Sequence, residues 1–530
     1  MWTSWSPIIA LSCAAWLAGC GAAPPGGDDP SAAGADPGTI GYAAAPGIDF
    51  TRVRGVPSAA DRASTGGVSW VDYDGDGDED LYVTNGYTVT EEPAPEPNRL
   101  YRNDGGDLVP VESGPLVEID GFSSGSTWGD YDNDGDLDVF VSNQRGQDNL
   151  LFRNEGDGRF TRIEGIAPVE DGGASYASTW VDVDGDGHLD LHVSNGGLSG
   201  VERDFLYRNR GDGTFERITA GPIVEDSTAS TSALWADYDD DGDADLFVAD
   251  RWTLPHLTNR LYRNEGGWRF TRVATGPVVT DTMRAHSAAW GDCDNDGAMD
   301  LYVGADAEAN RLYVNDGRGG FELGPSGPHV LDGGATNAVG WADIDNDGDL
   351  DLLVHNWGAA PAVYENLGGC TFRRIVAGDL GLEIGYASSL AWADVDDDGD
   401  LDLYLGNWPN WEGAGEENMF YRNDSATGHW LKVRLVGTRS NRAGLGARVT
   451  AHATIRGESV IQTRERTGAS TFRSQDASVL HFGMGDADAV DRLVIRWPSG
   501  AIDELVDVPL DRTITITEGG EWTVAATGDP

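Results

Sequence analysis

Along much of the chain, apolar residues fall on every second position in short runs such as Asp80-Leu81-Tyr82-Val83 and Asp245-Leu246-Phe247-Val248. Stretches of Gly, Asn and Asp separate them. Period-two alternation rich in Val, Tyr, Phe and Ile, bounded by turn-forming residues, predicts strands. The pattern also recurs as a unit. Each unit opens at a tryptophan (Trp70, Trp128, Trp180, Trp235, Trp290, Trp341 or Trp392), and successive openings lie 51 to 58 residues apart. An acidic loop follows, then an alternating strand and a loop of variable length. Next comes Asn-Arg-Leu-Tyr-Arg-Asn, at Asn98–Asn103 and Asn259–Asn264 and more loosely at Asn418–Asn423. A Gly-rich turn leads into Phe-Thr-Arg-Ile/Val, as at Phe160–Ile163 and Phe270–Val273. Four strands in a unit of this length predict one blade of a propeller.

The two ends of the array suggest a closed ring. The seventh unit lacks the Phe-Thr-Arg strand, and a spare copy, Phe50-Thr51-Arg52-Val53, precedes the first unit. If that strand completes the last blade, no sheet edge is left open. The expectation is therefore an all-β chain: a seven-bladed propeller over residues 45–426, then a small sandwich-type domain over 428–518 and a tail over 519–530. The opening tryptophans read as packing between blades.

The acidic loops carry the chemistry. They place aspartates at positions 1, 3, 5 and 9: Asp72, Asp74, Asp76 and Asp80; Asp130, Asp132, Asp134 and Asp138; Asp182, Asp184, Asp186 and Asp190. The remaining four are Asp237, Asp239, Asp241 and Asp245; Asp292, Asp294, Asp296 and Asp300; Asp343, Asp345, Asp347 and Asp351; and Asp394, Asp396, Asp398 and Asp402. A glycine stands at position 6 every time, from Gly77 to Gly399. Carboxylates at positions 1, 3 and 5 converge only if the chain turns sharply, which this glycine permits. Position 7 would offer its carbonyl, which explains why Asp, His188 or Ala298 can stand there. Several hard oxygen donors in one cage suit calcium better than magnesium, so about seven calcium sites are expected. An EF-hand is excluded, because position 12 of the first loop is Val83 and strands flank the loop. These units resemble FG-GAP/VCBS repeats, the calcium-loop blades also found in the integrin α-subunit propeller, over roughly residues 45 to 425.

Composition sharpens this picture. The formal charge is −53, with 89 acidic residues against 36 Lys and Arg. Such a surface repels a phosphate backbone, so nucleic acid is not expected as a partner. Seven divalent ions would neutralise about fourteen of these charges and leave the surface anionic.

The N-terminus reads as an export signal. Ile8 to Trp16 is apolar but too short to span a bilayer. The following Leu17-Ala18-Gly19-Cys20 resembles a bacterial lipobox, although no Lys or Arg precedes the apolar run. The expectation is a lipoprotein-type signal over 1–20, lipid attachment at Cys20 and a Gly/Ala/Pro/Asp tether over 21–44. Plain secretion is the alternative. Cys293 and Cys370 are expected to be two lone buried thiols unless the fold brings them together.

From about residue 428 the acidic loops stop and the composition becomes near neutral. Ser440-Asn441-Arg442-Ala443-Gly444-Leu445-Gly446-Ala447, His481-Phe482-Gly483-Met484-Gly485 and Trp497-Pro498-Ser499-Gly500 resemble an ASPIC/UnbV domain. FG-GAP repeats followed by this domain are the layout of bacterial relatives of the cartilage acidic protein family. The EGF-like module of the vertebrate members is not expected here, because the sequence lacks the cysteines for it. Arg464, Arg466, Arg473, Arg492 and Arg496 alternate along strands, and a solvated face is the expectation for them, with an anion site as the alternative.

The leading functional expectation is a non-catalytic, calcium-stabilised binding or adhesion protein at the cell envelope, with an unknown protein or carbohydrate ligand. Membrane contact would come only through the lipid. Tyr87, Trp252, Trp357, Trp408 and Trp411 lie in the variable loops and form the candidate ligand face. The alternative for them is packing against neighbouring loops. Two rival readings stand: a hydrolase or lyase in the propeller channel, and a scaffold or assembly factor for another envelope protein. No His-x-Glu-x-x-His, Gly-x-Ser-x-Gly or Gly-rich phosphate loop supports an enzyme. A cluster of His, Arg and Tyr in the channel would favour one.

Overall fold

The computed structural model describes residues 43–44, 47–86, 94–197, 200–251, 258–409, 415–425 and 428–524. The expected signal segment, Cys20 and most of the expected tether lie outside these residues. Each predicted unit is a four-stranded antiparallel sheet. In blade 1 the strands are Thr65–Val71, Asp80–Asn85, Arg99–Asp104 and Asp107–Pro110, in that order across the sheet. The innermost strands of the other blades are Ser123–Gly129, Ser175–Val181, Ser230–Ala236, Ala285–Gly291, Gly334–Ala342 and Ala387–Ala393. Each innermost strand touches the next, and the last touches the first, so the ring of seven is closed. Their small residues (Gly, Ala, Ser, Thr) let seven backbones converge on one axis. The fourth strand of blade 7 is Phe50–Val53, paired antiparallel with Met419–Asn423 through Phe50 opposite Asn423 and Val53 opposite Phe420. Just upstream, Ala43–Ala44 lies parallel to the outer strand of blade 6. Single helical turns such as Pro222–Glu225 and Pro277–Thr280, each with proline in the first turn, lead from one blade to the next.

Two devices interlock the blades. The first is aromatic: an opening tryptophan packs edge-on against an aromatic residue in the second strand of the blade before it. Trp128 meets Tyr82, Trp180 meets Phe140, Trp235 meets His192 and Trp341 meets Tyr302, at centroid distances of 5.4 to 6.3 Å. The second is polar. The asparagine ending each third strand donates its side-chain amide to the position 2 carbonyl of the preceding blade's loop. Asn103 reaches Val395, Asn154 reaches Tyr73, Asn209 reaches Tyr131, and Asn264 reaches Val183. Asn315, Asn366 and Asn423 complete the circle onto Tyr238, Cys293 and Ile344, and all seven bonds span 2.7 to 3.0 Å.

One seam is also covalent. Cys293, at position 2 of the fifth loop, and Cys370, in the outer turn of blade 6, form a disulfide. This corrects the expectation of lone thiols. The interblade stacking that brings Asn366 to Cys293 carries the neighbouring turn with it, a proximity that 77 residues of sequence separation conceal.

The C-terminal segment folds into two four-stranded sheets. One is built from Leu480–Gly485, His429–Val436, Arg512–Thr517 and Glu521–Val524; the other from Glu458–Glu465, Arg448–Ile455, Val490–Arg496 and Ile502–Val508. Leu431, Val433, Val449, Leu493, Ile495, Phe482, Ile514 and Ile516 fill the space between them. This sandwich sits on the end of the propeller where the acidic loops emerge, and residues 466–478 run from it into the channel. There Gln475 pairs with the innermost strand of blade 1, exchanging backbone bonds with Trp70 and Val68. Its side-chain amide brackets the Trp128 backbone, accepting from N–H at 2.8 Å and donating to C=O at 3.2 Å. Asp476 accepts from Trp392 N–H at 2.8 Å, and Thr127 donates to the Gly468 carbonyl at 2.8 Å. Arg466 and Arg473 are consequently buried and Arg464 half-buried, whereas Arg492 and Arg496 are exposed. The solvated-face expectation thus fails for three of the five, because strand alternation says nothing about a second domain pressed against them.

The asparagine clamp yields a direct prediction. Asn209 donates to Tyr131 and Leu189 carbonyls and accepts from Gly211 N–H. Asn209→Ala strands these buried groups and should lower stability by about 1–3 kcal/mol in denaturant unfolding, with little change in m-value because the exposed area is unchanged.

Candidate metal centres

Each loop is shaped first by its own backbone. In loop 2 the position 1 carboxylate of Asp130 accepts from Asp134 N–H at 3.0 Å and Gly135 N–H at 2.9 Å, drawing the turn closed. Gly135 has φ of 108°, a conformation that a side chain would strain. The same pair of bonds closes loops 3 to 7 on Asp182, Asp237, Asp292, Asp343 and Asp394. The position 5 carboxylate accepts from position 7 N–H, as Asp134 does from Asp136. Position 9 serves the blade as well. Asp138 accepts from Tyr131 N–H and Asn154 N–H, tying the start of the loop to the end of the third strand.

These bonds leave carboxylate oxygens facing inwards. One oxygen each from positions 1, 3 and 9 converges to within 4.8 Å of the others in Asp72/Asp74/Asp80, Asp130/Asp132/Asp138, Asp182/Asp184/Asp190 and Asp237/Asp239/Asp245. At position 3, Oδ1 of Asp74, Asp184, Asp239, Asp345 and Asp396 is buried without a hydrogen-bond partner. A buried anionic acceptor with no donor is costly. A hard cation would satisfy it, so the donor set fits calcium, which positions 1, 3, 5 and 9 would hold with the position 7 carbonyl. The next blade covers the site, since Trp268 Nε1 donates to Asp184 Oδ2 at 2.6 Å and Gly319 lies over Asp239.

Electrostatics agrees with geometry. Burial, with neighbouring carboxylates adding to it, pushes Asp80, Asp138 and Asp245 up to about 9 and Asp300 to about 8. Asp130, Asp182 and Asp292 rise to about 7 for the same reasons. Asp190, Asp343, Asp351 and Asp402 are held well above the usual carboxylate range. Asp76 and Asp134, at position 5, lie at the exposed rim of their loops.

Two family matches cover this architecture. Residues 72–141, 130–193, 198–248, 237–303 and 292–354 match the FG-GAP-like repeat, and residues 437–522 match the ASPIC and UnbV family. The chain is an FG-GAP repeat protein carrying a C-terminal ASPIC/UnbV domain. It is homologous to cartilage acidic protein 1. Identity to the mouse protein is 25% over 478 residues, covering 82% of this chain and 70% of that one. Identity to the human protein is 25% over 307 residues, covering 56% of this chain but 37% of that one. Among solved structures, the YCF48 protein bound to a D1 peptide aligns with a TM-score of 0.43 and 9% identity over 72% of this chain and 96% of its own. A lectin of Agrocybe aegerita, solved in a study of recognition of non-reducing terminal N-acetylglucosamine, aligns at 0.42 and 18% identity over 63% and 82%.

Of the ligand face expected of this FG-GAP protein, Trp357 and Trp408 lie among the described residues. Tyr87, Trp252 and Trp411 fall outside the described residues. Trp408 is not available as a surface anchor: it is 3% exposed and packed with Tyr176 and Phe472, while half-buried Trp357 meets it edge-on at 4.8 Å. The packing alternative therefore holds for Trp408, and the cause lies in the domain segment that fills the channel. Phe472 comes from that segment, and the Arg473 guanidinium lies over the rings of Tyr176, Trp408 and Phe472 at 4.0 to 5.5 Å. No signal in the propeller sequence could have announced these partners.

Two measurements bear on this geometry. The raised loop carboxyls bind protons more tightly folded than unfolded, so metal-free protein should gain stability as pH falls from about 9 towards 6 and lose it on the way back up. Thermal midpoints in chelator should show this gain, and calcium should remove it. For the channel segment, a methyl at Gly468 would run into the Trp180 carbonyl. Gly468→Ala should therefore make residues 466–478 markedly more sensitive to limited proteolysis than in the parent protein.

Proposed function

We propose that this protein is a calcium-stabilised, non-catalytic binding module of the cell envelope that presents a protein or carbohydrate ligand surface. The calcium reading rests chiefly on the inward, partnerless position 3 carboxylate oxygens beside converging positions 1 and 9. Export is supported by the lipobox-like sequence ending at Cys20 and, independently, by the Cys293–Cys370 disulfide, which belongs to oxidising compartments. Among the described residues, no helix is long and apolar enough to cross a membrane. Attachment through lipid on Cys20 remains part of the proposal.

The enzyme reading has one observation in its favour: the channel gathers His286, Arg473 and Tyr176. All three are buried, and His286 packs on Phe472 at 4.6 Å. A catalytic cluster needs room for a substrate, and here the domain segment occupies that room. This favours a structural role for the cluster and a binding role for the protein.

Thermal unfolding of the mature protein in calcium, in magnesium and in chelator tests the central claim. Calcium-specific stabilisation by at least several degrees is expected, since several sites bind the folded state alone. An equal midpoint in all three, with no metal in elemental analysis, rejects it.

A further inference from the structure

The loops are not electrostatically equivalent, and one strand of the ASPIC/UnbV domain sets two of them apart. His429–Val436 follows directly on blade 7 and lays Lys432 and Arg434, two residues apart and so on one face, against the acidic ends of blades 7 and 1. Lys432 Nζ donates to Asp394 Oδ2, the position 1 carboxylate of loop 7, at 2.7 Å, and also pairs with Asp397 at position 4. Arg434 Nη1 donates to Asp72 Oδ2, the position 1 carboxylate of loop 1, at 2.6 Å, and Nη2 to the Gly77 carbonyl at 3.1 Å. Lys432 is 7% exposed and is the only lysine among 530 residues.

Among the described residues, the other domain cations near the loops make no side-chain bond to a position 1 carboxylate. Half-buried Arg464 acts on Asp292 and Asp343, position 1 of loops 5 and 6, through its charge, while its own guanidinium donates to Thr463 and Gln462. Arg448 and Arg496 pair with Asp240 at position 4 of loop 4, and Arg456 pairs with Asp347 at position 5 of loop 6. Within the propeller, Arg208 reaches positions 3 and 5 of loop 3, but it is half-exposed and at the solvent rim. Its counterparts Arg102, Arg153 and Arg263 turn instead to an acid two residues on.

Resting on the calcium reading above, we propose that Lys432 and Arg434 are built-in counter-ions that compete with calcium for loops 7 and 1, giving the propeller two classes of metal site. Each cation is bonded to a carboxylate that the metal also requires, and it repels a divalent ion placed beside it. The competition is reciprocal: whatever these cations subtract from calcium affinity, calcium subtracts from their hold on Asp394 and Asp72. Loops 1 and 7 flank the seam where the ring is closed by Phe50–Val53, so the seam keeps charge compensation when calcium is withdrawn.

The lone lysine makes the competition readable at one residue. Amine-reactive labelling of the full mature chain, mapped by mass spectrometry, should modify Lys432 slowly in chelator and at least tenfold faster in saturating calcium, as the ammonium loses its carboxylate. Calcium calorimetry should show a weak class of sites that tightens at least tenfold in Lys432→Met and in Arg434→Met. Arg492→Gln, which removes a solvent-facing charge paired with Glu504, should leave the isotherm unchanged. Calcium uptake with unaltered labelling of Lys432, or unaltered affinity in both variants, overturns the proposal. If the variants fail to fold, labelling of the unaltered protein decides. An absence of any calcium uptake removes the parent reading rather than this competition alone.

Discussion

Everything in this molecule is arranged around one difficulty, the close approach of like charges. Three carboxylates within a few ångströms in each blade cannot all stay ionised in a partly desolvated loop without compensation. The chain supplies some of it through backbone amides that position 1 and position 9 oxygens accept. It supplies more through cations from a second domain, and the remainder is what a bound cation would supply. The asparagine clamp belongs to the same solution. By gripping the carbonyl next to position 1, it places the outer turn of one blade over the acidic loop of its neighbour and makes every loop part of a seam.

Seen this way, the sandwich domain is not an appendage. Its strand at His429–Val436 supplies charge to two loops, and its segment at 466–478 fills the axis that seven converging strands would otherwise leave open. The aromatic rings of Tyr176 and Trp408 then pack against a residue of that segment instead of against solvent or ligand. Propeller and sandwich therefore share a buried interface beside their own cores, and the stability of either is expected to depend on the other.

Much of this was legible in the sequence, for reasons of periodicity. The opening tryptophans, the aspartate spacing and the displaced Phe50–Val53 strand are repeated or conspicuously unrepeated, and repetition shows what each copy does. The final asparagine of the Asn-Arg-Leu-Tyr-Arg-Asn strand was visible too, but not its partner, because the bond crosses to another blade. Cys293 and Cys370 were hidden in the same way. Arg464, Arg466 and Arg473 misled because alternation along a strand reports two faces without saying what covers them. Trp408 misled because a loop position suggests exposure, whereas the covering residue, Phe472, lies in a different domain.

The pairing of Phe50–Val53 with Met419–Asn423 also bears on how the protein is made. A chain emerging N-terminus first cannot finish its seventh blade until some 370 residues have followed the closing strand. Through that interval the strand waits without its partner, and the long loop it must close makes the step slow. The ring cannot lock while its last blade is still missing, so topology itself postpones completion until nearly the whole propeller is in place.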